Sequence, residues 1–228
     1  MRGTIVHQIR DVLRMRPGDE IVLLDNSGQA RRVQLVAIDR DAVRGRVIET
    51  TTLDTEPRTR ITLYQGLLKG QKFEWVLQKG TEIGVAAFVP LLAARCVIGS
   101  VDDVSDTRIE RWERVVVEAA EQSGRAALPH LSNPQLFDKA SRDAVRSGLA
   151  LIPWEGEHSL GLRQALEGTR PGPIALFIGP EGGFTDEEIA RAREIGLVPV
   201  TLGKRILRAE TAGLAAASAI LYALGDLG

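Results

Sequence analysis

Ile174-Ala175-Leu176-Phe177-Ile178-Gly179-Pro180-Glu181-Gly182-Gly183-Phe184-Thr185-Asp186-Glu187-Glu188 reads as a buried strand, a glycine loop and a capped helix in succession. An unbroken apolar run bounded by turn residues is the pattern of a strand covered on both faces. Thr185 with Glu188 three residues on is a capping box, opening a helix predicted over 185–195. Further along the chain, Val198 to Leu202 reads as another strand, followed by a second glycine loop and a helix over 210–224. Upstream, Ile61–Tyr64, Phe88–Leu91 and Leu149–Ile152 read as strands. Helices are expected over 71–83, with Phe73, Val76, Leu77 and Gly80 on one side, and over 106–123. The second has a buried stripe of Ile109, Trp112, Val116, Ala119 and Ala120. Strands alternating with helices predict a parallel α/β sheet.

The first fifty residues read differently. Glu20–Leu24 is a short apolar run ended by the turn Asp25-Asn26-Ser27-Gly28. Arg32–Ile38 alternates, with Val33 and Leu35 opposed to Arg32, Gln34 and Val36; Ala42–Ile48 alternates again. Three short strands at close spacing suggest a small barrel. Residues 50–60 are polar, contain Pro57 and form the expected linker. Trp75 and Trp112 fall among apolar residues at helical spacing and read as core; His130 and His158 read as structural, and Cys96 as inert packing.

Composition sets outer bounds. The chain has 228 residues, 44% of them hydrophobic, enough for one large domain or two smaller ones. Its one cysteine excludes an internal disulfide and makes a cysteine-based zinc site very unfavourable. No apolar run reaches a membrane span and no leader pattern opens the chain, so the cytoplasm is expected. The net charge of −1 does not announce a nucleic-acid ligand, although residues 1–60 hold eleven Arg against nine acidic residues.

Two loops are the candidate site: Gly179-Pro180-Glu181-Gly182-Gly183, and Leu202-Gly203-Lys204-Arg205-Ile206-Leu207-Arg208-Ala209-Glu210-Thr211-Ala212. Both follow strands, and ligands of open α/β sheets bind at the carboxyl ends of strands. Neither loop fits GxxxxGK[ST] or GxGxxG, so a phosphate loop is not indicated. Taken singly, each glycine pair also reads as a plain tight turn.

Together the two loops resemble the signature of the bacterial 16S ribosomal RNA uridine-N3 methyltransferases, of the SPOUT superfamily. Further matches occur in order: His7 with Leu13-Arg14 and Pro17-Gly18-Asp19; Lys69-Gly70-x-Lys72; Gln78-Lys79-x-Thr81-Glu82-Ile83-Gly84-Val85; Pro90 and Arg95; and Glu118 through Arg125. The resemblance spans nearly the whole chain. It implies a PUA-like RNA-binding β-barrel over 1–58 and an α/β SPOUT domain with a deep trefoil knot over 59–228. Such proteins usually carry a further strand ahead of the His7 region. Here six residues precede His7, so a barrel without its first strand, or a truncated start, is expected.

The implied activity is methylation of N3 of a uridine in 16S rRNA of the small subunit, with S-adenosylmethionine as cofactor, a homodimeric enzyme and no metal. Gly179, Pro180, Glu181, Gly182, Gly183, Leu202, Gly203, Ile206, Leu207, Arg208, Thr211 and Ala212 would form the cofactor pocket. Uracil N3 carries a proton and is a poor nucleophile, so a base or a cation beside the developing anion is needed. Arg208, Arg125 and Lys69 are the candidate cations. Glu210 is a candidate base, but it also opens a helix, where a carboxylate favours the dipole. His7, Arg10, Arg14, Lys69, Lys72, Gln122 and Arg125 are candidate RNA contacts. The competing readings are a ribose 2′-O methyltransferase of the same superfamily and a non-catalytic RNA-binding assembly factor.

Overall fold

The computed structural model describes residues 1–228, with Thr4 described by its backbone only. The chain divides into two compact units. The first comprises Met1–Glu56 with Arg125–Ala127, the second Pro57–Gly124 with Leu128–Gly228.

The first unit begins with α1 (Thr4–His7), which runs directly into a π-helical turn over Gln8–Val12. Leu13 N–H reaches Gln8 C=O there at 2.9 Å. Strands β1 (Glu20–Leu24), β2 (Gln29–Ile38) and β3 (Val43–Thr52) follow, paired antiparallel in the order β1-β2-β3. Their pairings do not close β1 on β3, so among the described residues this is a three-stranded sheet and not a closed barrel. Val33 and Leu35 are buried while Arg32 and Val36 are exposed, as the alternation predicts. Val6, Ile9, Leu35 and Val43 make the small core. In β3 only Val43 is buried, and the strand runs to Thr52, into the stretch expected to be a linker.

The second unit is a parallel sheet with helices on both faces. Its elements are β4 (Arg60–Gly66), α2 (Lys72–Ile83), β5 (Ala87–Leu92), α3 (Asp106–Ser123), β6 (His130–Leu131), β7 (Gln135–Leu136), α4 (Phe137–Ala144), β8 (Leu149–Pro153), α5 (Leu162–Ala165), β9 (Pro173–Ile178), α6 (Asp186–Ile195), β10 (Val198–Val200) and α7 (Ala209–Ala223). The seven strands lie in the order β10-β8-β9-β4-β5-β6, with β7 also on β5, and every pairing is parallel.

Alternation along β9 explains its unbroken apolar run. Ile174, Leu176 and Ile178 enter one core, with Phe73, Trp112, Ala216 and Ile220 of α2, α3 and α7. Ala175 and Phe177 enter the other, with Phe137, Ala140, Ile189 and Ala192 of α4 and α6. Phe177 stacks on Tyr64 of β4 with ring centroids 4.2 Å apart. Each fully buried large side chain contributes about 1.5–3 kcal/mol, so the sheet centre is the most strongly held part of this unit. Trp112 is buried against Phe73, as expected. Trp75 is not core: it is 50% exposed, with Lys79 Nζ 5.2 Å from its ring centroid.

Candidate cofactor pocket

The chain leaves β9 in the middle of the sheet and turns at once through Gly179–Gly183. Gly183 N–H donates to Pro180 C=O at 2.9 Å, closing the turn. The neighbouring strand β4 ends in Gly66, and a β-carbon there would stand 2.4 Å from Pro180 N and 2.6 Å from the Gly179 carbonyl carbon. Such approach is possible only for glycine, so β4 and the loop touch backbone to backbone. From the β5 side, Arg95 donates to the carbonyls of Gly182 (2.8 Å) and Phe184 (3.3 Å). Glu188, 2% exposed, accepts from Thr185 N–H at 2.9 Å and from Ala94 N–H at 2.8 Å. The capping box predicted from sequence is therefore present, and its carboxylate also pins the loop after β5.

The second loop follows β10. Gly203 has φ +105°, a left-handed conformation that a side chain would strain, and its N–H donates to Thr201 Oγ1 at 3.2 Å. Ile206 is 88% exposed, an apolar side chain held out of any core. Arg208 precedes α7, its carbonyl accepting from Thr211 and Ala212 N–H at 2.8 Å each. The two loops wall a cavity of about 720 Å³, completed by the loop after β8 with Trp154, Glu155 and His158.

Lys72, at the start of α2, bridges two carboxylates of this cavity. Its Nζ lies 3.3 Å from Glu181 Oε1 and 3.6 Å from Glu210 Oε1. Glu181 Oε1 also accepts from Lys69 N–H at 3.1 Å. Burial pushes the Glu181 carboxyl upward, but the donors Lys69 and Lys72 outweigh it and hold the group below its ordinary range. Glu210 Oε2 is buried and has no hydrogen-bond partner.

Of the residues singled out in the sequence, Gly179, Pro180, Glu181, Gly182, Gly183, Leu202, Gly203, Ile206, Leu207, Arg208, Glu210 and Ala212 all line this cavity, together with Lys72. Thr211 and Lys69 are not in its wall, Lys69 reaching it through its backbone bond to Glu181. Gln122 is exposed in the last turn of α3. Arg125 lies beyond that helix, 6% exposed, with Nε 3.3 Å from Glu56 Oε1 inside the first unit. His7, Arg10 and Arg14 also belong to the first unit. His7 Nδ1 is 2.6 Å from Asp11, and Arg10 donates to both Asp11 oxygens and to Arg40 C=O. Arg14 has φ +53°.

Gly66 is not legible in the sequence, because its requirement is set by backbone far away in the chain. His158, which the sequence suggests is structural, lines the cavity; a histidine on a loop leaving a sheet strand at its carboxyl end is the available signal. Among the described residues no cluster of His, Cys, Asp and Glu could hold a metal ion, and no helix is long and apolar enough to cross a membrane.

A model described as an RNA methyltransferase domain matches residues 55–221, and one described as an RNA methyltransferase PUA domain matches residues 2–48. The chain belongs to this family of RNA methyltransferases. The ribosomal RNA small subunit methyltransferase E of Bacillus subtilis (strain 168) is 37% identical over 225 residues, covering 96% of this chain and 88% of that protein. That of Synechocystis sp. (strain ATCC 27184 / PCC 6803 / Kazusa) is 39% identical, covering 91% of this chain and 67% of that protein. The crystal structure of the Neisseria gonorrhoeae ribosomal RNA small subunit methyltransferase E bound to S-adenosyl methionine is 33% identical, with a TM-score of 0.86 over 97% of this chain and 90% of that one.

The cavity suits that cofactor. The outward Ile206, with Leu202 and Leu207, offers an apolar surface to an adenine ring. The backbone of the Gly179–Gly183 loop along the wall offers hydrogen-bonding groups. The chain is an S-adenosylmethionine-dependent ribosomal RNA methyltransferase.

Proposed function

We propose that this enzyme methylates N3 of a specific uridine in the 16S rRNA of the small ribosomal subunit. The observation that carries the reading is the Glu210 oxygen, a buried acceptor without a donor in a cavity suited to the cofactor. Bound there, S-adenosylmethionine supplies an electrophilic methyl group on a sulfonium, so the chemistry calls for no metal. Uracil N3 lies on the Watson–Crick edge, so the target base is unpaired or flipped when it reacts. Arg208, on the cavity wall, is the first candidate cation for stabilising negative charge on the uracil oxygens, with Lys69 and Arg125 as further candidates from outside that wall.

The N-terminal unit serves as the PUA-like RNA-binding module, with His7, Arg10, Arg14 and Arg125 in that unit, and Gln122 in the second unit, as the RNA contacts to test. The C-terminal path is a deep trefoil knot, and the working form is a cytoplasmic homodimer acting on the small subunit. The match of residues 2–48 to the PUA model and the names of the relatives support this reading. The test is incubation with small subunits and labelled cofactor, followed by digestion of the rRNA to nucleosides. A label in N3-methyluridine supports the proposal; a label on ribose would replace it with 2′-O methylation, and no label with cofactor bound would favour an assembly factor.

A further inference from the structure

We propose that Lys72 is a positioning residue of methyl transfer: by bridging Glu181 and Glu210 it turns Glu210 so that its other oxygen, Oε2, takes the N3 proton of the target uracil. The inference deepens the N3-uridine reading and rests on it.

The argument starts from how the Glu210 carboxylate is used. A carboxylate in the first turn of a helix commonly caps free backbone N–H groups. Glu210 does not: Oε1 faces Lys72 at 3.6 Å, and Oε2, buried, meets no donor. A buried acceptor without a donor costs about 1–3 kcal/mol, so the arrangement is completed by a ligand that brings one. A uracil joined to ribose through N1 has a single ring N–H, at N3, which is the atom to be methylated. A carboxylate oxygen accepts that hydrogen bond and then the proton.

Lys72 is poorly suited to the alternative role of phosphate contact. Its Nζ stands between Glu181 (3.3 Å) and Glu210 (3.6 Å), and the three charges together are net negative. A phosphate approaching Nζ would meet two carboxylates. The bridge instead ties the start of α2, the first glycine loop and the start of α7 to one another. Glu181 is itself fixed by Lys69 N–H at 3.1 Å, so the orientation of Glu210 is referred to the loop that holds the cofactor. The other charged or titratable side chains on the cavity wall are Glu155, His158, Lys204, Arg205 and Arg208.

In the step, the N3–H bond breaks and an O–H bond forms on Glu210 Oε2. The electron pair left on N3 forms the bond to the methyl carbon. The methyl–sulfur bond breaks with its pair going to sulfur, which leaves as a neutral thioether. Lys72 gives up no proton; it holds Oε1 and so aims Oε2.

The test compares wild type, Glu210→Gln, Lys72→Met and Lys72→Arg by calorimetric S-adenosylmethionine binding and by single-turnover methylation of small subunits across subunit concentration and salt. Glu210→Gln is expected to bind cofactor within twofold of wild type and to lose on the order of 10²–10⁴-fold in rate. Lys72→Met is expected to keep cofactor affinity and the KM for the subunit, and to lose roughly tenfold or more in rate. Lys72→Arg should restore the rate, because a guanidinium can hold the same two carboxylates. Retained cofactor binding shows that each variant is folded. A raised KM for the subunit and a shallower salt dependence in Lys72→Met, with the single-turnover rate kept, would make Lys72 a phosphate contact and overturn the proposal. So would Glu210→Gln losing cofactor affinity tenfold while keeping its rate per bound complex, since Oε2 would then serve the cofactor. Failure of wild type to bind cofactor, or its marking of ribose, would strike the underlying reading instead.

Discussion

Arg95 donates to the carbonyl of Gly182 at 2.8 Å, across 87 positions of sequence. The bond, with its companion to Phe184, lets the loop after β5 hold the outer half of the first glycine loop. Arg95→Ala should leave the core intact and loosen that loop. The Gly182 bond is exposed, so its worth is about 1 kcal/mol rather than the larger value of a buried charged hydrogen bond. Cofactor dissociation constants from calorimetry should rise about fivefold, and an unchanged constant would show that the loop keeps its shape without Arg95.

Ile206 separates affinity from stability. It is 88% exposed, so Ile206→Ser should change unfolding free energy by less than about 0.5 kcal/mol. If adenine covers it, part of the ~1.5–3 kcal/mol for burying such a side chain is lost on binding. Cofactor affinity should then fall about tenfold while the denaturant midpoint stays fixed.

Gly66→Ala should lower stability. The added carbon would lie 2.4 Å from Pro180 N, and backbone on both sides must part to admit it. Overpacking of this kind costs about 1–3 kcal/mol. Urea unfolding should show a lower midpoint with an unaltered slope.

Glu157 offers a titration in the loop that flanks the cavity. Hydrogen bonds from the Ser159 hydroxyl, Ser159 N–H and Leu160 N–H, aided by Arg193, depress its carboxyl to about 2. A lowered folded value stabilises the folded state above the ordinary carboxylate range and is lost as pH falls through about 2. Carbon-detected NMR should find this carboxyl still ionised at pH 3, with Ser159 and Leu160 amide shifts moving only below that. Titration near 4.5, the ordinary carboxylate value, would show the loop unformed.

Much of the second unit was legible because β9 and the long helices announce themselves through apolar periodicity. Ile174–Ile178 reads as a strand since both its faces are covered, and α3 shows its stripe through Trp112, Val116, Ala119 and Ala120. The polar half of β3 was not legible. Residues Glu49–Thr52 are exposed, so no alternation betrays a strand held by backbone pairing with Gln29–Arg32. The eight-residue α4 is not legible because Asp138, Lys139, Arg142 and Asp143 outnumber its buried apolar residues, Phe137, Ala140 and Ala144. At the site, the glycine loops were visible as residue types. The Lys72 bridge was not, because it depends on three elements meeting, and nothing in the local sequence separates a lysine between two carboxylates from one in solvent.

The position of β9 has a consequence for the birth of the enzyme. Its loop emerges between β4 and β8 and shares its cavity with residues 202–212, which follow it in the chain. During synthesis the earlier strands can assemble first, yet no cofactor cradle exists until the last helix has left the exit tunnel and packed. Ligand binding therefore cannot assist early folding. It can only act as a latch once α7 is in place, and ligand capture by nascent chains of graded length should switch on abruptly when α7 has emerged.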